Sequence, residues 1–454
     1  MNSRDGLFEQ LGSVIQDAMR QYVVPGVAVG VQHDGRAEAA GYGVTNVKHP
    51  LAVDADTLFQ IGSTTKTFTA TTAMRLVEMG KLDLDAPIQR YLPEFRMADP
   101  GVTAGVTMRH LLTHVGGWLG DYFDDLGNGD DALALYVARM AELPQLTPLG
   151  TVWSYNNAAF GLAGRVIEAA SGQTYEAALT ELVLKPLGLH ESFIMPADVM
   201  THRYATGHIV HDGKPVIATP WQLARSAHAA GALASTARDQ LKYARFHMGD
   251  GRAEDGTQVL KPESIQQMQT RVTDGPLGED MGLGWFMRDA QGTRLVRHGG
   301  ATNGQLSAFM FAPARGFALT LLTNSDTGAE LNRAVTAWVL EHYLGIAEAE
   351  PPQLARSEAE LAEYAGTYHT ALNDTQLYVQ DGQLMMQLTP KGGFPYKDSP
   401  PNPVPPPSRM AFVARDRVVA LDAPATGLQG EFLRDPQGRI EWFRFGSRIK
   451  RRAE

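Results

Sequence analysis

The sequence predicts an α+β fold, an antiparallel sheet with a helical insertion, followed by a small all-β barrel or sandwich. Three observations point there. Strand-like runs occur near the start and return around residue 283, with a mostly helical pattern between them. After Gly345 the texture changes to short alternating runs separated by turn residues. The 454 residues are too many for one ordinary domain and comfortable for two. The expected division is residues 1–348 for the first domain, 349–360 for a linker and 361–454 for the barrel.

The elements follow in order. "MNSRDGLFEQLGSVIQDAMRQY" has the pattern of an amphipathic helix with acids scattered through it. It lacks the basic start and apolar centre of a signal peptide. That favours the cytoplasm; a signal removed beforehand would instead place the protein in the periplasm or outside the cell. "VAVGVQHDGRAEAAGYG" reads as two strands around an Asp-Gly turn. "FQIGSTTKTFTA" opens a helix that ends near Gly80. Helical patterns then continue through "MRHLLTHVGG", "DALALYVARMAEL", "NAAFGLAGRVIEAASG", "YEAALTELVLKPLG" and "TARDQLKYARFHMG". Strands resume with "LGWFMRD", "RLVRHGG", "SAFMFAPARG" and "FALTLLTNS", and the helix "ELNRAVTAWVLEHYLG" closes the region. Adjacent strands of this kind pair into one antiparallel sheet covered by helices. "IAEAEPPQLARSEAE" reads as the linker, and "QLYVQDGQLMMQL", "MAFVARDRVVALD" and "GEFLRDPQGRIEWFRFG" as barrel strands. The proline-rich "KGGFPYKDSPPNPVPPPSR", residues 391–409, cannot continue a ladder and forms a stiff, extended loop.

Composition narrows the function. Apolar residues make up 44% and charged residues 20%, a globular balance. No apolar run reaches membrane-spanning length. The chain has no cysteine, which excludes disulfides, thiolate catalysis and cysteine-ligated metal. A formal charge of −10 argues against general nucleic-acid affinity, and "RIKRR" reads as a solvated tail. The acidic loop "GDYFDDLGNGDD" reads as a solvated turn that would favour an amine-bearing substrate if it rimmed a cleft.

Chemistry concentrates in three places. Ser63 and Lys66 stand three apart at a helix start, so a serine hydroxyl has a base on the same face and backbone N–H groups beside it. A second Ser-x-x-Lys, Ser447 to Lys450, falls in a strand region where the two side chains diverge, and is read as chance. "TVWSYNNAAFGLAG" supplies Tyr155 and Asn157 just before a helix, in the one Tyr-x-Asn of the chain. "RLVRHGGATNG" supplies His298, Gly299 and Gly300 at a strand end. Taken singly, Tyr155 would be a packed aromatic, Asn157 a helix cap and His298 a structural histidine. His110 and His114 have the i, i+4 spacing of zinc ligands, but no glutamate lies between them, and no metal site is expected. Of the aromatics Trp118, Tyr122, Trp153 and Trp221, one or two are expected to line the cleft.

With Ser-x-x-Lys, Tyr-x-Asn and His-x-Gly in this chain order, residues 8–345 resemble the serine β-lactamase and penicillin-binding superfamily, in its class C-like branch. That branch holds class C β-lactamases, DD-peptidases, D-aminopeptidases and family VIII carboxylesterases. The resemblance implies the β-lactamase/DD-peptidase fold and acyl transfer through a Ser63 acyl-enzyme. It assigns Lys66 as base and Tyr155 as proton relay, the phenol being eased by a neighbouring cation such as Lys66. Asn157, His298, Gly299 and Gly300 would bind substrate, and the backbone N–H groups of Ser63 and Ala301 would form the oxyanion hole. The β-lactamases carry lysine where His298 stands, which lowers the expectation of β-lactam hydrolysis. The second domain resembles the lipocalin-like barrel appended to some D-aminopeptidases, from which a loop reaches the cleft; residues 391–409 would either do so here, in the same chain or a neighbouring subunit, or form a surface excursion or an oligomer contact. The implied substrates are peptides or amides, including D-residue ones. A carboxylesterase acting on small esters and a penicillin-recognising sensor that never turns over are the alternatives. No cofactor, no nucleic acid and no membrane insertion are expected; the partners are a small-molecule or peptide substrate and, if the chain self-associates, a homo-oligomer.

Overall fold

The computed structural model describes residues 6–347 and 352–453. Its main sheet has eight strands, all antiparallel. The hairpin Gly26–His33 and Arg36–Gly43 forms one edge, turned by Asp34 and Gly35 with positive φ. The first hairpin strand pairs with Phe317–Thr323, so chain start and domain end meet in mid-sheet. Leu306–Ala312, Thr293–Ala301 and Phe286–Ala290 continue outward from there.

Alternation explains why this sheet is covered on both faces. Val27, Val29 and Val31 pack with Leu11 and Ile15 of the helix Leu7–Tyr22 and with Val335 of Gly328–Leu344. Ala28 joins the opposite layer with Phe309, Phe311, Leu241 and Phe68. Each such buried side chain contributes about 1.5–3 kcal/mol relative to exposure. The helical insertion, residues 62–248, forms much of that second layer.

Residues 349–351 of the expected linker lie outside the described residues. Leu354 already bridges to Phe412 of the barrel, and a short helix, Glu358–Ala362, follows with a Ser357/Glu360 capping box. Eight antiparallel strands from Gly366–His369 to Arg448–Arg452 then close on themselves, leaving no free sheet edge. "RIKRR" is therefore a strand and not a solvated tail: Ile449 and Lys450 are buried. Its neighbours dock on the first domain. The Tyr155 N–H donates to the Ser447 carbonyl at 2.9 Å, and the Ile449 N–H to Ser154 Oγ at 3.3 Å. Among the described residues no helix is long and apolar enough to cross a membrane.

Candidate active site

Ser63 sits in a 3₁₀ turn, Gly62–Thr64, that runs into the helix Thr65–Glu78. This helix is buried along almost its whole length, threonines included. The hydroxyls of Thr69, Thr71 and Thr72 bond back to carbonyls four residues earlier, so polar residues survive in a dry helix. Lys66 is fully buried among them.

The Lys66 ammonium has three acceptors: Ser63 Oγ at 3.1 Å, Asn157 Oδ1 at 2.7 Å and the Ala230 carbonyl at 2.6 Å. Among the described residues no carboxylate touches it. Burial holds its pKa well below the ordinary lysine range; Arg448 lowers it further and Asp121 opposes. Once neutral, the amine keeps two N–H donors for Asn157 and Ala230, and its lone pair is left facing the Ser63 hydroxyl. The orientation of the Asn157 amide is set from behind, because its Nδ2 donates to Asp121 Oδ1 at 2.8 Å.

Asn157 is the first residue of the helix Asn157–Ser171; the cap is its neighbour Asn156, whose side chain accepts from the Ala159 N–H. Tyr155 enters just before. Its ring stacks on His114 at 4.4 Å, with Lys66 Nζ 4.9 Å and the Arg448 guanidinium 4.8 Å from its centroid. Burial raises the phenol pKa above its ordinary range, against the easing influence of Ser63 and Arg448. The easing cation is thus Arg448, not the expected Lys66, and the phenol is neutral at rest. Among the described residues its hydroxyl makes no hydrogen bond of ordinary geometry, although it lies near enough to Ser63 for that contact to ease it.

The strand Thr293–Ala301 forms the opposite wall. Its pairing with Phe286–Ala290 ends at Arg297, while Leu306–Ala312 pairs on through Ala301. His298 to Ala301 therefore keep one free edge. Gly300 is glycine for space: a Cβ there would lie 1.8 Å from the Ile61 carbonyl and 2.7 Å from the Ser63 nitrogen. Ala301 N is comparably close to where a Gly62 Cβ would be, so the strand and the Ser63 turn are in contact. His298 Nδ1 donates to the Gly299 carbonyl at 2.6 Å, leaving Nε2 as a buried lone pair without a partner among the described residues. Burial, then Lys66, lowers its pKa to about 3, so the ring is neutral.

A cavity of about 710 Å³ joins these groups: Ser63, Tyr155, Asn157 and His298 to Ala301 all line it. Its far side belongs to the barrel, through Leu388, Phe445, Ser447, Arg448 and Lys450. Gly392, Phe394, Pro400, Asn402 and Pro405 bring the proline-rich loop to the cavity of the same chain. That loop is tied down by a Phe394–Phe123 edge contact and by the Tyr396 hydroxyl donating to the Gln222 carbonyl at 2.9 Å. None of Trp118, Tyr122, Trp153 or Trp221 is among the lining residues; the aromatics there are Phe123, Tyr155, Phe286, Phe394 and Phe445. Trp118 and Trp153 are buried in packing instead. His110 and His114 are committed separately, His110 to Thr107 and His114 Nδ1 to the Asn156 N–H.

Two residues of the site escape sequence reasoning. Asp121 lies in the loop read as a solvated turn, yet its side chain is only 7% exposed. Arg448 lies in the supposed tail. They form a two-point ion pair, Nε to Oδ2 at 2.9 Å and Nη2 to Oδ1 at 3.1 Å. Asp121 therefore offers no free charge to an amine. No local signal marks either residue, because each matters only once the barrel docks.

A family model described as Beta-lactamase matches residues 11–344. Penicillin-binding protein 4 of Amycolatopsis lactamdurans is 36% identical over 363 residues, 78% of this chain and 95% of that protein. Esterase EstB of Burkholderia gladioli is 35% identical over 225 residues, 46% of this chain and 56% of that protein. A crystal structure of SurE with D-Leu superposes with a TM-score of 0.75 at 28% identity, covering 98% of this chain and 99% of that one.

Proposed function

The chain belongs to the beta-lactamase family of serine hydrolases, and from that premise we propose that it forms a Ser63 acyl-enzyme with peptide or amide substrates, including D-residue ones. The observation that carries the reading is the tether of Lys66. With Asn157 Oδ1 and the Ala230 carbonyl occupying two N–H bonds, the remaining position of its amine faces Ser63 Oγ at 3.1 Å.

In this reading neutral Lys66 takes the Ser63 proton as Oγ attacks the acyl carbon. The oxyanion is held by the N–H groups of Ser63 and Ala301, on the glycine-lined approach between turn and strand. Tyr155, a neutral phenol, donates its proton to the leaving nitrogen. The ammonium now on Lys66, 4.9 Å from that ring, favours the phenolate left behind. The phenolate then takes a proton from the water that releases the acid, and Ser63 Oγ recovers its own from the Lys66 ammonium. His298, neutral and with its Nε2 lone pair unpaired, accepts a hydrogen bond from a substrate N–H; Gly299 and Gly300 let the substrate run along the strand edge. It lacks the charge to hold a carboxylate. Support for D-residue substrates comes from the neighbouring fold solved with D-Leu and from a cavity walled by the barrel. A carboxylesterase is the second reading, favoured by the similarity to an esterase.

Kinetics on a matched panel of p-nitrophenyl esters, D- and L-aminoacyl amides and nitrocefin tests this. The expected result is turnover of D-aminoacyl amides, abolished with fluorophosphonate labelling by Ser63→Ala in a folded protein. Turnover of esters alone would favour the esterase, a stable stoichiometric adduct the sensor, and a label on Ser447 would overturn the nucleophile.

A further inference from the structure

Among the described residues three cations line the cavity wall, and two are spoken for. Arg297 is paired with Glu279, Nη2 to Oε2 at 2.6 Å, and Arg448 with Asp121. Lys450 is different. It follows Arg448 by two residues on the same strand, so both side chains point to the same face. It is 2% exposed, yet among the described residues no carboxylate bonds to it. Its amine donates to Asn373 Oδ1 and, at 2.6 Å, to Thr375 Oγ1, both neutral, which leaves one N–H over. Phe445 lies 5.8 Å away. The nearest acids act only at a distance. Asp374 is itself bound to Lys391 and His369, and Asp121 to Arg448.

A buried ammonium without an acid is costly, and burial lowers this one to about 7. An anion beside it would recover that cost. The cavity is the open approach to it, and Ser63 lines the same cavity. His298, on the opposite wall, is neutral and offers an anion no charge.

We propose that Lys450, backed by Asn373 and Thr375, recognises a carboxylate carried by the substrate away from the scissile bond. The barrel then selects what the first domain cleaves. This rests on the serine-hydrolase reading of the same cavity.

The test uses mono-p-nitrophenyl adipate and suberate against their methyl-capped counterparts, on the full chain. The free acids should be preferred in kcat/KM by about 10- to 100-fold, the range of a hydrogen bond to a charged group. Lys450→Met should bring acid and capped ester to within about threefold while leaving the capped ester near its parent rate; Lys450→Arg should keep the preference. Calorimetric binding of the same esters to Ser63→Ala reads the preference without turnover. Failure of the acyl-enzyme reading therefore shows as turnover that survives Ser63→Ala, and failure of this proposal as a parent without acid preference or a preference that Lys450→Met leaves intact. Equal treatment of acid and capped ester by the parent overturns the proposal even if Lys450→Met does not fold. So does a preference that survives Lys450→Met.

Discussion

Removing the Asp121 carboxylate should separate two roles that one side chain plays. Its oxygens hold Arg448 at two points and the Asn157 amide at a third. In Asp121→Ala the guanidinium is left in the cavity wall without an anion. Breaking a buried pair costs about 3–5 kcal/mol. Asp121 is 7% exposed but the Arg448 side chain 34%, so screening puts the loss at the lower end, about 3 kcal/mol. Adding Arg448→Met removes the stranded charge, and the double variant should regain at least half of that stability. Catalysis should not follow. With nothing to accept from Nδ2, the Asn157 amide is free to turn, and Lys66 loses a fixed acceptor. The kcat should fall about 10- to 100-fold in single and double variants alike, short of the ~10²–10⁴ of a deleted general base. Denaturant unfolding and steady-state kinetics on the parent, Asp121→Ala and the double variant give both answers. A double variant no more stable than Asp121→Ala, or a kcat that recovers along with stability, would refute the argument.

Two further outcomes are expected. The acid limb of kcat/KM should report one group, Lys66, whose neutral form is the base: activity is present above its lowered pKa and lost as pH falls through it, and Arg448→Met, by deleting a cation that lowers it, should move that limb to higher pH. A limb that stays in place, or a separate inflection between pH 5 and 8 that His298→Gln removes, would contradict the electrostatics described, since His298 titrates near 3. Shortening residues 391–409 to a Gly-Ser turn should speed cleavage of bulky esters and leave small ones unchanged, because Phe394, Pro400 and Pro405 occupy cavity wall; unchanged size selectivity would mean that the loop does not restrict access.

How much was legible in the sequence depends on the distance over which each residue acts. The hairpin, the Ser63 helix, the four late strands and the alternating second region are local patterns, and each forms where its periodicity puts it. Ser63 and Lys66 are one helical turn apart, so their contact follows from spacing. Tyr155, Asn157 and His298 needed the company of a known motif order, since alone each has a duller explanation. Asp121, Arg448 and Lys450 could not be found this way. A charged loop and a basic strand look solvated until a docking surface covers them, and that surface is made from residues 327 apart in the chain. The misplaced expectation about Trp118 and Trp153 has the same origin: proximity to a motif in sequence says little about which wall of a cavity a ring joins.

The Arg448 contact also orders events during synthesis. At about 5–20 residues per second, the ribosome adds Arg448 roughly 15–65 s after Asp121. Ser63, Lys66, Tyr155 and the His298 strand are all present by then. Until the last barrel strand emerges and docks, the Tyr155 N–H lacks the Ser447 carbonyl and Asn157 rests on an unanchored aspartate. The nascent chain thus carries Ser63 for most of its elongation before the barrel side of its cavity exists, and the enclosed cavity arrives with the last strand.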